Sequence, residues 1–290
     1  MADYQLIING EKVEASESFN VENPADNSVV ASCAQGTVEN LDAAVAAAKA
    51  AFPAWSATSD GQRVEALNKI ADLIEQHHEE LSHLVTKEQG KCQTGPGANI
   101  EVGGCAAWTR VTAGLELPVE VIADNDEERI ELHRPPVGVV GSITPWNWPL
   151  MIAVWHVMPA VRVGCTVVIK PSPYTPLSTI RLIELMNGVL PAGVVNVVTG
   201  DADVGNRMST HPDINKIVFT GSIPTGQTIM QKAAPTLKRL TLELGGNDAG
   251  ILLPDVDVEA IADKLFTACF HNNGQTCAAL KRLYVPEEIY

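Results

Sequence analysis

Between Leu242 and Cys277 of this 290-residue chain, one carboxylate and one thiol are each presented beside glycine, in Glu243-Leu-Gly-Gly-Asn247 and in Phe270-His-Asn-Asn-Gly-Gln-Thr-Cys277-Ala. A thiolate is the strongest common side-chain nucleophile, and a carboxylate can serve as a general base. A third residue extends the set. Asn147 stands between Trp146 and Trp148, in a run from Pro135 to Val161 that has no Lys, Arg, Asp or Glu. A buried amide there needs partners. Its N–H, with the backbone N–H of Cys277, would give an oxyanion two donors. Nucleophile, base and oxyanion site are what a two-step covalent route through a carbonyl carbon requires. Taken singly, each has an ordinary explanation: a lone cysteine is most often a small buried hydrophobe, and a glutamate near glycine a solvated loop residue.

The elements around them give the set its company. From Val137 the rhythm is strand then helix: Val137–Ile143 before a helix over 151–162, Thr166–Ile169 before 176–188, Val194–Val198 before 202–209, Lys216–Phe219 before 224–234, and then Leu240–Leu244. Short apolar strands alternating with helices predict a buried parallel sheet covered on both faces. Right-handed crossovers place all strand C-termini along one edge, where open α/β sheets bind ligands. The least ordinary residues fall on that edge: Thr144-Pro-Trp-Asn147, Lys170-Pro-Ser172, Thr199-Gly200-Asp201, Thr220-Gly221-Ser222 and Glu243-Leu244. Gly221-Ser222 before a helix is a phosphate-cradling arrangement, since the first helical N–H groups favour an anion. No Gly-x-Gly-x-x-Gly is present. Gly221 to Thr228 narrowly misses a P-loop, with Gln227 where its lysine belongs, which argues against an NTPase.

Ahead of the sheet, 4–35 reads as short strands and turns, with a hairpin signal at Asn9-Gly10 and a loop at Asn23–Asp26. Thr37 caps a helix carrying Leu41, Val45, Ala48 and Phe52. A helical region runs from Gln62 to about Glu88 and ends at Gly90, and another spans about 100–111. Residues 117–122 and 129–133 alternate apolar and polar around the acidic turn 124–127, which predicts a half-exposed β-hairpin and, because a lone ribbon is marginal, a partner subunit or packing on its own domain. His77, His78 and His83 read as a solvated helix face.

Composition narrows the function classes. A net charge of -15 argues against nucleic acid. The apolar run 135–161 is interrupted by Pro136, Pro145, Pro149 and Pro159, so no membrane span is expected. Six scattered cysteines, with no Cys-x-x-Cys and no leader at the first residues, predict reduced thiols in the cytoplasm. No metal site is expected.

With these residues assembled, the chain resembles the NAD(P)-dependent aldehyde dehydrogenase superfamily. The motifs are Pro145-Trp-Asn-Trp-Pro149, Val168-Ile-Lys-Pro-Ser172, Phe219-Thr-Gly-Ser222, Leu242-Glu-Leu-Gly-Gly246 and Phe270 through Ala278, in the family's order and spacing. The resemblance implies an α/β fold: a Rossmann-like cofactor domain over 1–116 and 135–245, an oligomerisation hairpin over 117–134, and the start of a catalytic domain over 246–290. It implies oxidation of an aldehyde to an acid. Cys277 attacks, Asn147 and the Cys277 N–H hold the oxyanion, and Glu243 activates water against the thioester. It also implies NAD or NADP bound by Thr144, Trp146, Lys170, Ser172, Gly200, Gly221, Ser222 and Leu244, a small-molecule aldehyde as partner, and a homo-oligomer (dimer or tetramer) when full length.

Three departures carry further expectations. Pro173 stands where many NAD-preferring members place a ribose-binding glutamate, which opens the site to NADP. His156 replaces a lysine that the family uses in proton relay, so an inflection near neutrality is expected in the pH–rate profile. Family members also continue well past the nucleophile, so the sequence reads as an N-terminal portion. The alternatives are a catalytically incomplete NAD(P)-binding fragment, a coenzyme A-acylating relative, which Glu243 weighs against, and a cysteine hydrolase, for which no histidine motif pairs with Cys277.

Overall fold

The computed structural model describes residues 2–290. The chain opens with a hairpin of β1 (Leu6–Ile8) and β2 (Glu11–Val13), turned at Asn9 and Gly10. Both turn residues have positive φ, 55° and 80°, the tight turn that matches strand twist. A second hairpin pairs β3 (Ser18–Glu22) with β4 (Val29–Ala34).

Four helices follow: α1 (Val38–Ser56), α2 (Asp60–Gln76), α3 (His78–Gln89) and α4 (Ala98–Ala113). Thr37 caps α1 as its sequence predicts, in a reciprocal pair with Asn40. The helical region expected over 62–88 is not continuous. It breaks at His77, whose φ and ψ of -100° and 20° leave the helical well, and whose Nδ1 hydrogen-bonds the Glu80 carboxylate at 2.7 Å. His77 and His78 are accordingly half-buried at a hinge between helices, and only His83 is exposed. Gly90 ends α3 at φ 85°, the left-handed position glycine takes at a helix C-terminus.

The ribbon of β5 (Glu120–Asp124) and β6 (Arg129–Leu132) is antiparallel. It is more open than the half-exposed expectation. Val121 and Ile122 on one strand and Ile130 and Leu132 on the other are all exposed, so alternation here does not mark a core face within this chain.

The alternation of strand and helix then builds the sheet as expected: β7 (Val139–Ile143), α5 (Pro149–Arg162), β8 (Thr166–Lys170), α6 (Leu177–Asn187), β9 (Val195–Val197), α7 (Ala202–Thr210), β10 (Lys216–Thr220), α8 (Ile223–Ala233) and β11 (Arg239–Glu243). Seven strands stand in the order β11-β10-β7-β8-β9-β1-β2. The five from β11 to β9 are parallel, and β1 joins β9 antiparallel. One face packs Leu41, Val45, Met208 and Ile229 from α1, α7 and α8. The other packs α5 and α6, with α2 to α4 as an outer layer contributing Leu67, Ile70, Val102 and Cys105. Beyond the sheet come β12 (Asp248–Ile251), α9 (Val258–Phe270) and β13 (Leu280–Tyr284), with β12 and β13 parallel. No residue of α9 is buried. No helix among the described residues is long and apolar enough to cross a membrane.

Candidate active site

Two clefts run along the C-terminal edge of the parallel strands. One, of about 660 Å3, is lined by Thr144, Trp146, Asn147, Gly221, Ser222, Leu244, Gly246 and Cys277 among others. The second, of about 270 Å3, is lined by Lys170, Pro173, Gly200, Asn206 and Ser209. Thr225, in the first turn of α8, borders both.

The nucleophile loop is held in an unusual backbone. Asn272, Asn273 and Gly274 have consecutive positive φ values of 54°, 57° and 74°, the left-handed region that asparagine enters more readily than other non-glycine residues. Side chains from the Asn147 segment hold the loop in place. Asn272 Nδ2 donates to the Asn147 carbonyl at 2.8 Å. Asn147 Nδ2 donates to the Gln275 carbonyl at 2.7 Å. Trp148 Nε1 donates to Thr276 Oγ1 at 3.0 Å, and its ring stacks on His271 at 5.0 Å. Gln89 Nε2 reaches Gln275 Oε1 at 2.9 Å. On the far side Lys281 Nζ donates to the Cys277 carbonyl at 2.7 Å.

Cys277 itself is exposed. Neither its thiol nor its backbone N–H has a partner among the described residues. Asn147 is half-buried rather than enclosed in apolar surroundings, because its side chain crosses from the helix α5 entry to the nucleophile loop. One of its two amide hydrogens is engaged by Gln275, and the other has no partner among the described residues. A thiol, a free amide N–H and a free backbone N–H thus share one cleft. Glu243 lies beside it rather than in it. It closes β11 with an exposed side chain, and its carbonyl accepts the Gly221 N–H at 3.0 Å.

The residues expected to hold a dinucleotide divide between the clefts. Thr144, Trp146, Gly221, Ser222 and Leu244 line the first, and Lys170 and Gly200 the second. Ser222 is the N-cap of α8, its hydroxyl accepting from the Thr225 N–H. Ser172 lines neither cleft. It is buried in a turn where its hydroxyl accepts the Tyr174 N–H at 3.3 Å and its carbonyl accepts the Thr175 N–H. The remaining residues fit the group. Thr144 Oγ1 is buried with no partner. Lys170 is buried, spends one N–H on the Pro171 carbonyl, and is pushed down to about 8 by that burial against the opposing pull of Asp201. At the start of α8 Pro224 carries no N–H and Thr225 gives its own to Ser222, which leaves the Ile223 N–H for an anion. Gly200 sits at φ 126°, which only glycine adopts without strain. Among the described residues no cluster of His, Cys, Asp and Glu could hold a metal ion.

The inflection near neutrality expected from His156 is overturned by its burial. Nδ1 meets Ser142 Oγ at 2.9 Å and Nε2 meets Thr220 Oγ1 at 3.0 Å. Desolvation holds the ring down to about 3, so it stays neutral across the working range and adds no inflection there. Its signature lies in stability instead. The unfolded chain binds the proton that the folded ring refuses. The stabilisation is therefore complete above about 6.5 and is lost as pH falls toward 3, by about 1.4 kcal/mol per pH unit. Buried Glu88, pushed up to about 7, acts in the opposite sense, because the folded form takes its proton first. Comparing His156→Gln with the parent cancels that term. On going from pH 7 to pH 5 in urea unfolding, the variant is expected to gain about 2 kcal/mol relative to the parent.

Sequence reasoning passed over a buried pair beneath the site. Lys91 Nζ lies 2.5 Å from Glu101 Oε2 and 2.9 Å from the Asn147 carbonyl. The signal was present: Glu101 falls on the buried stripe of α4 with Ala98, Cys105 and Thr109. A charge on such a stripe demands a buried partner.

Comparison with known proteins adds to this geometry. The model of the aldehyde dehydrogenase family matches residues 12–290. A phenylacetaldehyde dehydrogenase of Pseudomonas fluorescens is 40% identical, over 99% of this chain and 60% of its own. The NADP(+) succinate-semialdehyde dehydrogenase GabD of Escherichia coli is 35% identical, over 99% of this chain and 60% of its own. The crystal structure of aldehyde dehydrogenase C from Pseudomonas syringae, a C291A mutant complexed with NAD+ and octanal, superimposes with a TM-score of 0.92 at 40% identity, covering 98% of this chain and 59% of that one. The chain therefore spans about 60% of the length of the relatives it matches.

Proposed function

Because this chain belongs to the aldehyde dehydrogenase family, we propose that it forms the NAD(P)-binding portion and the nucleophile loop of an enzyme that oxidises an aldehyde to a carboxylic acid. The observation that carries the reading is the single cleft lined by Cys277 and Asn147, which shares Thr225 as a wall with a second cleft suited to a dinucleotide. Residues 1–116 with 135–245 act as the cofactor unit, 117–134 as an oligomerisation arm, and 246–290 as the opening of a catalytic unit.

In this reading the Cys277 thiolate adds to the aldehyde carbon. The carbonyl π electrons move to oxygen, and that oxyanion accepts hydrogen bonds from Asn147 Nδ2 and the Cys277 N–H, which a cleft of low dielectric makes strong. Lys170, Thr144 and the first turn of α8 would hold the dinucleotide, which when bound would supply a two-electron acceptor for the hydride. The remaining thioester is opened by water, with Glu243 taking the water's proton and Cys277 leaving as thiolate. The free, exposed carboxylate of Glu243 leaves room for the swing this needs. Incubation with a panel of aldehydes and either dinucleotide tests the reading: aldehyde-dependent reduction with free acid as product supports it. Reduction that requires coenzyme A would replace it by the acylating reaction, and dinucleotide binding without aldehyde capture would replace it by a binding role.

For cofactor choice we propose dual use of NAD and NADP. Pro173 lines the second cleft and brings no carboxylate to it, while Lys170 brings a cation. A 2′-phosphate beside Pro173 thus meets the Lys170 cation and no carboxylate from that position, the one acidic side chain lining the cleft being Asp201. Pro173→Glu is expected to weaken NADP at least tenfold while leaving NAD within about threefold, since a like-charge contact at about 4 Å costs at least about 1 kcal/mol even in bulk water and more near a protein surface. Fluorescence titration of the chain with each dinucleotide measures it.

A further inference from the structure

Lys91 and Glu101 are both almost fully enclosed, with side-chain exposures of 1% and 0%, yet neither belongs to the reacting set. Their partners all converge on the segment that carries Asn147. Lys91 Nζ bonds Glu101 Oε2 and the Asn147 carbonyl, and its charge lies 3.8 Å over the Trp148 ring. Glu101 Oε1 accepts the N–H groups of Leu150 and Met151 at 2.9 and 3.0 Å. Those are the opening amides of α5, whose own N-cap residue, Trp148, offers no side-chain cap. One ion pair thus fixes the carbonyl before Trp148, the face of its ring, and the two amides after Pro149. The same carbonyl receives Asn272 from the nucleophile loop, and Trp148 reaches Thr276.

We propose that the Lys91–Glu101 pair is the positioning device of the oxyanion site: it sets the pitch of the Asn147–Trp148 backbone, and through it the direction of the Asn147 amide relative to Cys277. The proposal rests on the reading of Asn147 as an oxyanion donor. A pair that served only to fill the core would be replaceable by neutral side chains of similar volume with no effect on the cleft. A positioning pair would not, because loss of the Lys91 hydrogen bond leaves the Asn147 carbonyl held by Asn272 alone, and misplacement of a reacting group by about 1 Å can cost about a hundredfold.

The test uses the 290-residue chain and requires no turnover. Octanal adds reversibly to a thiol as a hemithioacetal, and its occupancy is read as protection of Cys277 from iodoacetamide, resolved by peptide mass spectrometry so that exposed Cys92 serves as an internal reference. Lys91→Met alone leaves a buried carboxylate without its counter-charge and risks the fold. The informative variant is Lys91→Met with Glu101→Gln, in which the Gln carbonyl still caps α5 and no charge is stranded. A folded double variant with unchanged dinucleotide titration and at least tenfold weaker octanal protection is the expected result. Equal protection in the double variant and the parent would overturn the positioning role alone. Absence of protection in the parent itself would overturn the aldehyde reading and this proposal with it. Should the double variant fail to fold, Lys91→Leu with Glu101→Gln, which likewise keeps the α5 cap and strands no charge, takes its place, again with reduced protection expected and unchanged protection overturning the role.

Discussion

Asn147→Ala is expected to lower kcat/KM for aldehyde-dependent reduction of NAD(P) by about 100- to 1,000-fold, the usual effect of deleting one oxyanion donor. The residue has two attachments, and they separate by substitution. Its carbonyl is held by Lys91 and Asn272 and survives any side-chain change. Its Nδ2 braces Gln275 and, in the proposed mechanism, offers its second N–H to the oxyanion. Asn147→Ala removes brace and donor together. Asn147→Asp keeps the shape but puts an acceptor beside the developing negative charge, so it should be at least as damaging. Gln275 offers its backbone carbonyl to the brace, so Gln275→Ala retains that bond and should lose far less than Asn147→Ala. The set is read from aldehyde-dependent dinucleotide reduction at saturating cofactor. An Asn147→Ala loss below about tenfold would remove this side chain from the oxyanion role.

The legible parts of the molecule were those governed by local rules. Short apolar strands spaced by helical runs gave the parallel sheet and its edge, and Thr37, the Asn9-Gly10 turn and Gly90 behaved as their side-chain chemistry requires. Asn147 was legible for a related reason: it follows β7, whose end the alternation puts on that edge, whereas Cys277 lies in the turn before β13 and was read from its motif. Glu243 shows the limit of that logic. Its strand end was correctly placed, but whether its side chain enters the cleft is a rotamer and loop matter that strand order does not decide.

What the sequence concealed depends on burial by distant segments. His156 reads as an ordinary titrating group until Ser142 and Thr220 close on it from neighbouring strands. Lys91 stands in what reads as a break between helices, and Glu101 inside a helix of mixed character. Only their approach, across the entry to α5, reveals an ion pair. The strand signal at 117–133 gave the hairpin of β5 and β6 but not its surroundings. An alternating pattern announces a face to be buried, and within this chain nothing buries it.

Gly246→Ala is expected to be the most disruptive single-carbon change in the site. An added Cβ there would lie 2.4 Å from the Cys277 carbonyl oxygen and 3.2 Å from Asp248 Oδ1. The first neighbour is backbone, so no rotamer relieves the contact. Either the strand entering β12 or the nucleophile loop must move. The loop is poorly able to comply, because Asn272, Gln275, Thr276 and Cys277 are each pinned by a hydrogen bond. Forced overpacking of this kind costs about 1–3 kcal/mol, and displacing the thiol by about 1 Å can reduce its reaction about a hundredfold. Gly245 supplies the contrast. Its Cβ would meet nothing within 4 Å, so Gly245→Ala should leave the melting temperature unchanged. Paired melting curves and octanal protection of Cys277 measure both effects. If Gly246→Ala retained parental protection, the close approach of this loop to the nucleophile would be structurally dispensable. Loss of protection at position 246 with parental stability at position 245 would place the requirement for glycine in that backbone contact, and so tie the end of the sheet directly to the position of the thiol.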